Sequence, residues 1–188
     1  MTNRVFLGLV HYPVYNKNME LVTTSVTNLD IHDIARCAMT YGLLKYYIIH
    51  PAQTQQRLIN EIIDHWQSGY GAIYNPDRKT ALDLVDLQPT IEKVREKILG
   101  EYPGTLFTIA TDARIYPNTV SYKKMREMIH TSEQKNYLLL FGTGWGMAKD
   151  AIAEADIILE PIYGVGDYNH LSVRSAVAII LDRLLGDK

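Results

Sequence analysis

The sequence predicts an α/β fold: a mainly parallel sheet covered by helices on both faces. Three observations lead there. Short apolar runs of strand length recur along the chain, stretches of helical period separate them, and Gly, Pro and Asn mark the turns between. Strands alternating with helices of this length require right-handed crossovers within one sheet. At 188 residues the chain is long enough for one such domain with its own core, so residues 1–188 are read as a single domain.

Taken in order, residues 5–10 read as a buried strand and residues 11–18, with Pro13 and two asparagines, as a loop. A helix is expected from about Asp30, with Asp30 as N-cap and Asp33 as its acidic partner. Ile31, Ile34, Ala35 and Ala38 then share one face, and Gly42 stops the helix. Residues 43–50 give the second strand, closed by Pro51. Leu58, Ile59, Ile62, Ile63 and Trp66 mark the next helix, after which residues 68–79 turn repeatedly. Residues 81–87 alternate apolar with acidic side chains, which predicts a short strand. Ile91, Val94 and Ile98 define a helix ended by Gly100 and Pro103. A strand over 105–110 exits through Thr111-Asp112-Ala113-Arg114. Tyr122, Met125 and Ile129 then form the core face of a helix that carries Lys123, Lys124 and Arg126 on its other side. Strand 137–141, a glycine loop, a helix from 147 to about 154, strand 157–159 and a helix from about 171 to 185 complete the pattern. No internal repeat, low-complexity segment or linker interrupts it.

Bulk properties narrow the function. The net charge of −2, from 21 acidic and 19 basic residues, gives no overall positive field for nucleic acid, so any such contact needs a local patch or a partner. The single Cys37 excludes an internal disulfide. The six scattered histidines offer no metal-ligand spacing, so no metal is expected. The first apolar run is too short for a signal-peptide core, and no stretch approaches the ~18 apolar residues of a membrane span. A cytoplasmic protein without membrane contact is the expectation.

The chemistry concentrates in the last fifty residues. Leu138-Leu139-Leu140-Phe141 runs into Gly142-Thr143-Gly144-Trp145-Gly146. Ile157-Ile158-Leu159 runs into Glu160-Pro161-Ile162-Tyr163-Gly164. Asn169-His170-Leu171-Ser172-Val173-Arg174-Ser175-Ala176 opens the final apolar helix. Two strand ends that each enter a glycine-bearing loop, followed by a helix start rich in small polar residues, describe a site built from backbone, suited to a flat adenosyl group. The G-x-G-x-G spacing departs from the G-x-G-x-x-G dinucleotide fingerprint, lacks G-K-[ST], and lies near the chain end. Glycines that merely close tight turns are the ordinary reading of any one such loop. Lys149 reads as a solvated helix residue.

In order and spacing, these three segments resemble the carboxy-terminal motifs of the SPOUT methyltransferases, trefoil-knotted enzymes that bind S-adenosylmethionine. Upstream, residues 28–42, from Asn28-Leu29-Asp30 through Arg36 to Tyr41-Gly42, are similar to the first motif of the SpoU branch, with Arg36 on the motif arginine. The likeness covers nearly the whole chain and is greatest to the SAM-dependent RNA methyltransferase group that in some bacteria is fused to tRNA guanine-N1 methyltransferase. Two departures stand out: Gly144 occupies the place of a loop glutamate, and Ser172 that of an asparagine.

The resemblance implies a C-terminal deep trefoil knot, S-adenosylmethionine as cofactor, and methylation of RNA, tRNA or rRNA, at a ribose 2′-oxygen. It also implies a homodimer with each site at the subunit interface, which the apolar Val173, Val177, Ile180, Leu181 and Leu184 of the last helix would suit. The cofactor would lie among Gly142, Thr143, Gly144, Pro161, Ile162, Gly164, Leu171, Ser172 and Ala176, with Leu140 as an apolar wall and Glu160 on the ribose hydroxyls or facing solvent. Trp145 either stacks or lines the dimer surface, with packing as the ordinary reading of a large apolar residue beside a glycine loop.

Methyl transfer from a sulfonium is an in-line displacement that needs positioning and a stabilised nucleophile. Arg36 is the candidate catalytic group, able to hold a phosphate and favour an alkoxide through its field, with a surface pair to Asp33 as the ordinary alternative. His32, Asp33, Arg36 and Thr40 share a helix face. Asn28 either orients the substrate or makes a turn; Asp112 and Arg114 leave a strand at the ligand-binding edge of the sheet. Arg174 meets substrate or pairs with a neighbouring carboxylate. RNA affinity would draw on Lys123, Lys124, Arg126, Arg78, Lys79 and Arg114. Two further readings stay open: a catalytically silent SAM-binding module that regulates or scaffolds a partner methyltransferase, and a nucleotide-binding α/β enzyme whose glycine loop holds phosphate.

Overall fold

The computed structural model describes residues 3–131, 133–166 and 168–186. Its elements run β1 (Arg4–Val10), β2 (Val14–Tyr15), β3 (Leu21–Val22), α1 (Asn28–Thr40), β4 (Lys45–Ile49), α2 (Gln53–Gln67), α3 (Tyr70–Tyr74), α4 (Pro76–Leu82) and β5 (Val85–Gln88). There follow α5 (Ile91–Glu101), β6 (Leu106–Thr111), β7 (Thr119–Val120), α6 (Tyr122–Ile129), β8 (Asn136–Gly142), α7 (Lys149–Ala153), β9 (Ile157–Leu159) and α8 (Val173–Leu185). Seven strands form one sheet in the order β5-β4-β1-β8-β6-β9-β7, and every pairing in it is parallel. Helices cover both faces, as the alternation of apolar runs and helical periods requires.

The pleat divides the core in two. Val5, Leu7 and Leu9 of β1, with Tyr137, Leu139 and Phe141 of β8, face one side, where Ile34, Ile59, Leu82, Met125 and Val177 close over them. Phe6 and Val10, with Leu138 and Leu140, face the other, against Val94, Ile98 and Ile152. Gly8 sits on this second face because a Cβ there would come within 2.9 Å of Leu140 and 3.1 Å of Ile49.

Some boundaries differ from the expectation, each for a physical reason. The N-cap of α1 is Thr27: its Oγ1 accepts from the Asp30 amide at 3.2 Å and donates to Asp30 Oδ2 at 2.6 Å, which puts Asp30 in the first turn as the partner and leaves Asp33 out of the cap. Residues 68–79 contain α3 and most of α4, started by Asn75 as N-cap and Pro76 at the first helical position. Ala81 and Leu82 end that helix, so β5 begins only at Val85. Within the loop after β1, β2 and β3 form a small antiparallel hairpin. Among the described residues no helix is long and apolar enough to cross a membrane.

Candidate functional site

Parallel strands send all their C-terminal exits to one edge of the sheet. There β8 and β9 flank β6, so the loops after Gly142 and after Leu159 leave two strand spacings apart, roughly 10 Å. The exit of β6 lies between them and touches both. Arg114 Nη2 donates to the Met147 carbonyl at 2.8 Å on the glycine-loop side, and the Asn169 side chain donates to the Ala113 carbonyl at 3.1 Å on the other. Arg114 is itself held by Asp112, Nε to Oδ1 at 2.9 Å and Nη2 to Oδ2 at 2.5 Å. This pair fixes the loops.

The first loop is packed against its own chain. Tyr15 donates to the Gly146 carbonyl and accepts from the Trp145 amide, both at 2.9 Å, and Ala148 donates to the Pro13 carbonyl at 3.0 Å, so the hairpin straps one side of the loop. A Cβ on Gly142 would lie 2.6 Å from the Met147 nitrogen. Gly144, at φ 61°, would bring one to 2.8 Å from the Tyr15 carbonyl oxygen. These glycines permit close backbone approach, and that filled space is no open phosphate cradle. It also explains the missing glutamate, because no side chain fits at Gly144 while Tyr15 is in place.

Beneath the loop lies a buried polar network. Thr143 donates from N at 3.2 Å and from Oγ1 at 3.0 Å to the Val10 carbonyl. The Thr143 hydroxyl proton is thereby used, so the Thr24 hydroxyl, 2.5 Å away, donates to it. Thr24 must then accept from His11 Nδ1–H at 3.0 Å, which fixes the tautomer and leaves a bare lone pair on His11 Nε2, buried without a partner. His50 accepts from the Ala52 amide through Nδ1 and so donates through Nε2 to the Thr24 carbonyl at 3.1 Å. Burial first, and then the neighbouring His50, hold His11 neutral, its pKa down at about 4. Burial lowers His50 too.

The second and third segments are open. Tyr163, Gly164, Leu171 and Ser172 are exposed, Pro161 is buried, and Ile162 packs on the core. Glu160 Oε1 accepts from the Tyr122 amide at 2.6 Å at the start of α6, which leaves Oε2 for a ribose hydroxyl. Ser172 caps α8 by accepting from the Ser175 amide, a role that asparagine fills equally well. Ala176 lies in the first turn of α8, half-buried. Leu140 is sealed in the core beside Gly8. The open backbone of these two segments, flanked by exposed apolar side chains, fits an adenosyl group.

Arg36 lies elsewhere. It is exposed on α1, eight residues past Asn28 and so about 12 Å further along the axis, near enough to His32 for its charge to disfavour the protonated ring. The expected Asp33 partner belongs instead to Arg174, whose Nη1 meets Asp30 Oδ1 at 2.7 Å and whose Nε meets Asp33 Oδ2 at 3.4 Å. Asn28 is exposed in the first turn of α1 and borders a hollow with Trp66. Of the basic candidates, Arg126 caps the end of α8 through the Arg183 and Gly186 carbonyls and Arg78 lies over the Trp66 ring. Lys79, Lys123 and Lys124 are exposed. The apolar side chains of α8 fill the chain's own core, Val177, Ile180, Leu181 and Leu184 being buried there.

Comparison with known proteins agrees with this geometry. The family model for SAM-dependent RNA methyltransferases matches residues 4–186. An "Uncharacterized protein" of Aquifex aeolicus is 46% identical over 184 residues, 98% of this chain and 89% of that protein. A tRNA (guanine-N(1)-)-methyltransferase of Oleidesulfovibrio alaskensis is 47% identical over 186 residues, 97% of this chain but 42% of that longer protein. Among solved structures, the SpoU methyltransferase AviRb from Streptomyces viridochromogenes, in complex with the cofactor AdoMet, superposes with a TM-score of 0.58 at 15% identity, over 97% of this chain and 57% of that one.

Proposed function

The chain belongs to the SAM-dependent RNA methyltransferases, and from that premise we propose that it acts as a knotted homodimer that methylates a ribose 2′-oxygen of RNA, tRNA or rRNA. One observation carries the placement of the site: the exits of β8 and β9 and the start of α8 all gather around the exit of β6. S-adenosylmethionine, when bound, supplies a methyl group on a sulfonium leaving group. The chain's own part is to hold, orient and exclude water. Backbone at Ile162, Gly164, Leu171 and Ser172 would line the adenosyl group, with Pro161 and Ala176 behind it. Glu160 Oε2 would take the ribose hydroxyls. Gly142, Thr143 and Gly144, with Leu140 beneath, would form the fixed wall opposite.

Asn28 would orient the acceptor nucleotide, and Arg36 would hold its phosphate and stabilise the developing alkoxide. Within one protomer Arg36 is carried along α1 away from the loops, so its action is assigned across the dimer. Exposed Ile115, Trp145, Tyr163, Val165, Tyr168 and Leu171, all on loops at the C-terminal edge of the sheet, supply an apolar surface for such an interface. A partner methyltransferase is a further means of capturing RNA for a chain of net charge −2.

The test is calorimetric titration with S-adenosylmethionine and S-adenosylhomocysteine, followed by transfer of labelled methyl to RNA and nucleoside analysis. Gly164→Arg is the blocking variant, since its nearest neighbour is the Tyr168 carbonyl at 3.5 Å and the fold is spared. Binding lost in that variant, with 2′-O-methyl nucleosides formed by the parent, supports the reading. Binding without transfer to any RNA identifies a silent module, and methylated bases in place of riboses overturn the acceptor. Mixed dimers of Gly164→Arg with Arg36→Ala should recover about a quarter to a half of the activity if Arg36 acts across the interface, since one site of two is intact.

A further inference from the structure

A hollow of about 360 Å³ opens between the first turn of α1 and the outer face of α2, lined by Asn28, Leu58, Glu61, Ile62, His65 and Trp66. Its aromatic member is held from several directions. The Arg78 guanidinium lies 4.4 Å from the Trp66 ring centroid, and the His32 and His65 rings meet Trp66 edge-on at 5.2 and 5.4 Å. Gly71 packs so tightly that a Cβ would come within 2.7 Å of the indole. His32 is nine-tenths buried, yet both its ring nitrogens lack a hydrogen-bond partner, as does the buried Nε of Arg78. Among the described residues no hydrogen bond accounts for these three polar atoms beside the hollow. Glu61, in turn, is exposed and makes no ion pair among the described residues.

We propose that this hollow receives an unpaired nucleobase of the RNA strand, guanine by preference, stacked on Trp66 with its Watson–Crick edge on Glu61. The inference rests on the RNA methyltransferase reading. An indole backed by a guanidinium is a stacking platform for a flat ring, and unpaired bases are read on their edges by polar groups around such platforms. A carboxylate only accepts, so it selects an edge with adjacent donors, and guanine alone presents N1–H beside N2–H. The same carboxylate repels a phosphate, which excludes a bare anion as occupant. Arg57, one turn before Glu61 on α2 and next to Leu58 of the lining, is exposed for a flanking phosphate. Asn28, assigned above to the acceptor nucleotide, lines this hollow, so the captured base lies next to the residue being modified.

The chain has two tryptophans, so in a Trp145→Phe protein Trp66 is the only fluorescent indole. The experiment titrates that full-length protein with single-stranded hexauridylate and with the same oligonucleotide carrying one guanosine. S-adenosylmethionine calorimetry is run in parallel on the unaltered protein, which keeps Trp145 in the glycine loop. Saturable quenching with ~10-fold tighter binding of the guanosine-bearing strand, a preference abolished in Glu61→Gln, is the expected result. Absent quenching, or quenching with no preference and no response to Glu61→Gln, overturns the proposal. If the cofactor still binds in that case, the methyltransferase reading survives alone. Guanosine-selective quenching by a protein that binds no S-adenosylmethionine sustains the hollow and overturns the reading on which it was placed.

Discussion

Thr143 stands in the glycine loop, but its hydroxyl belongs to the network beneath, where it donates to the Val10 carbonyl and accepts from Thr24. Thr143→Val keeps the shape and removes both bonds, leaving the Thr24 hydroxyl and its supporting His11 misdirected. A loss of about 1–3 kcal/mol is expected, read as a lower urea midpoint at unchanged slope. The same network sets a dependence on pH. His11 has its ordinary pKa of 6.5 when unfolded and about 4 in the fold, so folding favours the neutral ring. The stabilisation is therefore complete above pH 6.5 and is lost as pH falls from there through 4, roughly 3 kcal/mol in all, with His50 adding in the same sense. His11→Asn, whose amide can still donate to Thr24, should flatten urea midpoints across that window. A wild-type slope retained in the variant would assign the effect to other groups.

Between elements, the contact between α1 and α8 depends on Arg174, which spans Asp30 and Asp33. Asp30 is only 5% exposed, so Arg174→Ala strands a buried carboxylate and should cost about 2–4 kcal/mol, offset in part by Asp30→Asn in the same chain. Thermal midpoints of the two single variants and the double variant check this. Element by element, the parallel sheet and most of its helices were legible because β1, β4, β8 and β9 carry apolar runs of strand length, β6 carries one broken only by Thr108, and α1, α2, α5 and α6 keep a clear 3.6 period. Residues 68–82 were not, since α3 and α4 have only five and seven residues, too few to show a period, and the signal for α4 was its Asn75-Pro76 start. In the site, the glycine loops were visible as composition. The strap across them was not, because Tyr15 engages through backbone atoms, which carry no sequence signature. His11 and His50 did leave a trace, each following directly on a buried strand.

For the molecule as a whole, the buried side of the last helix is spent on its own core, and the proposed dimer would use the loop surface around Trp145, Tyr163, Tyr168 and Leu171. Sedimentation velocity should give a dimer that Leu171→Lys weakens at least ~10-fold without lowering the thermal midpoint of the monomer, because the side chain is exposed in the fold. The strand order carries a consequence of another kind. β1 lies in the interior of the sheet, and its neighbour β8, the central strand, comes from much later in the chain; the Thr143–Val10 bond that closes their ends spans 133 residues. Ordering that much chain before the contact forms makes folding slow, in the range of milliseconds to seconds or longer. During synthesis the first strand can be paired early only on the β4 side, and its other edge stays a bare row of donors and acceptors until the carboxy-terminal third emerges. The site therefore comes into being late, in the same event that seals the sheet, and a growing chain has no half-built binding surface to offer.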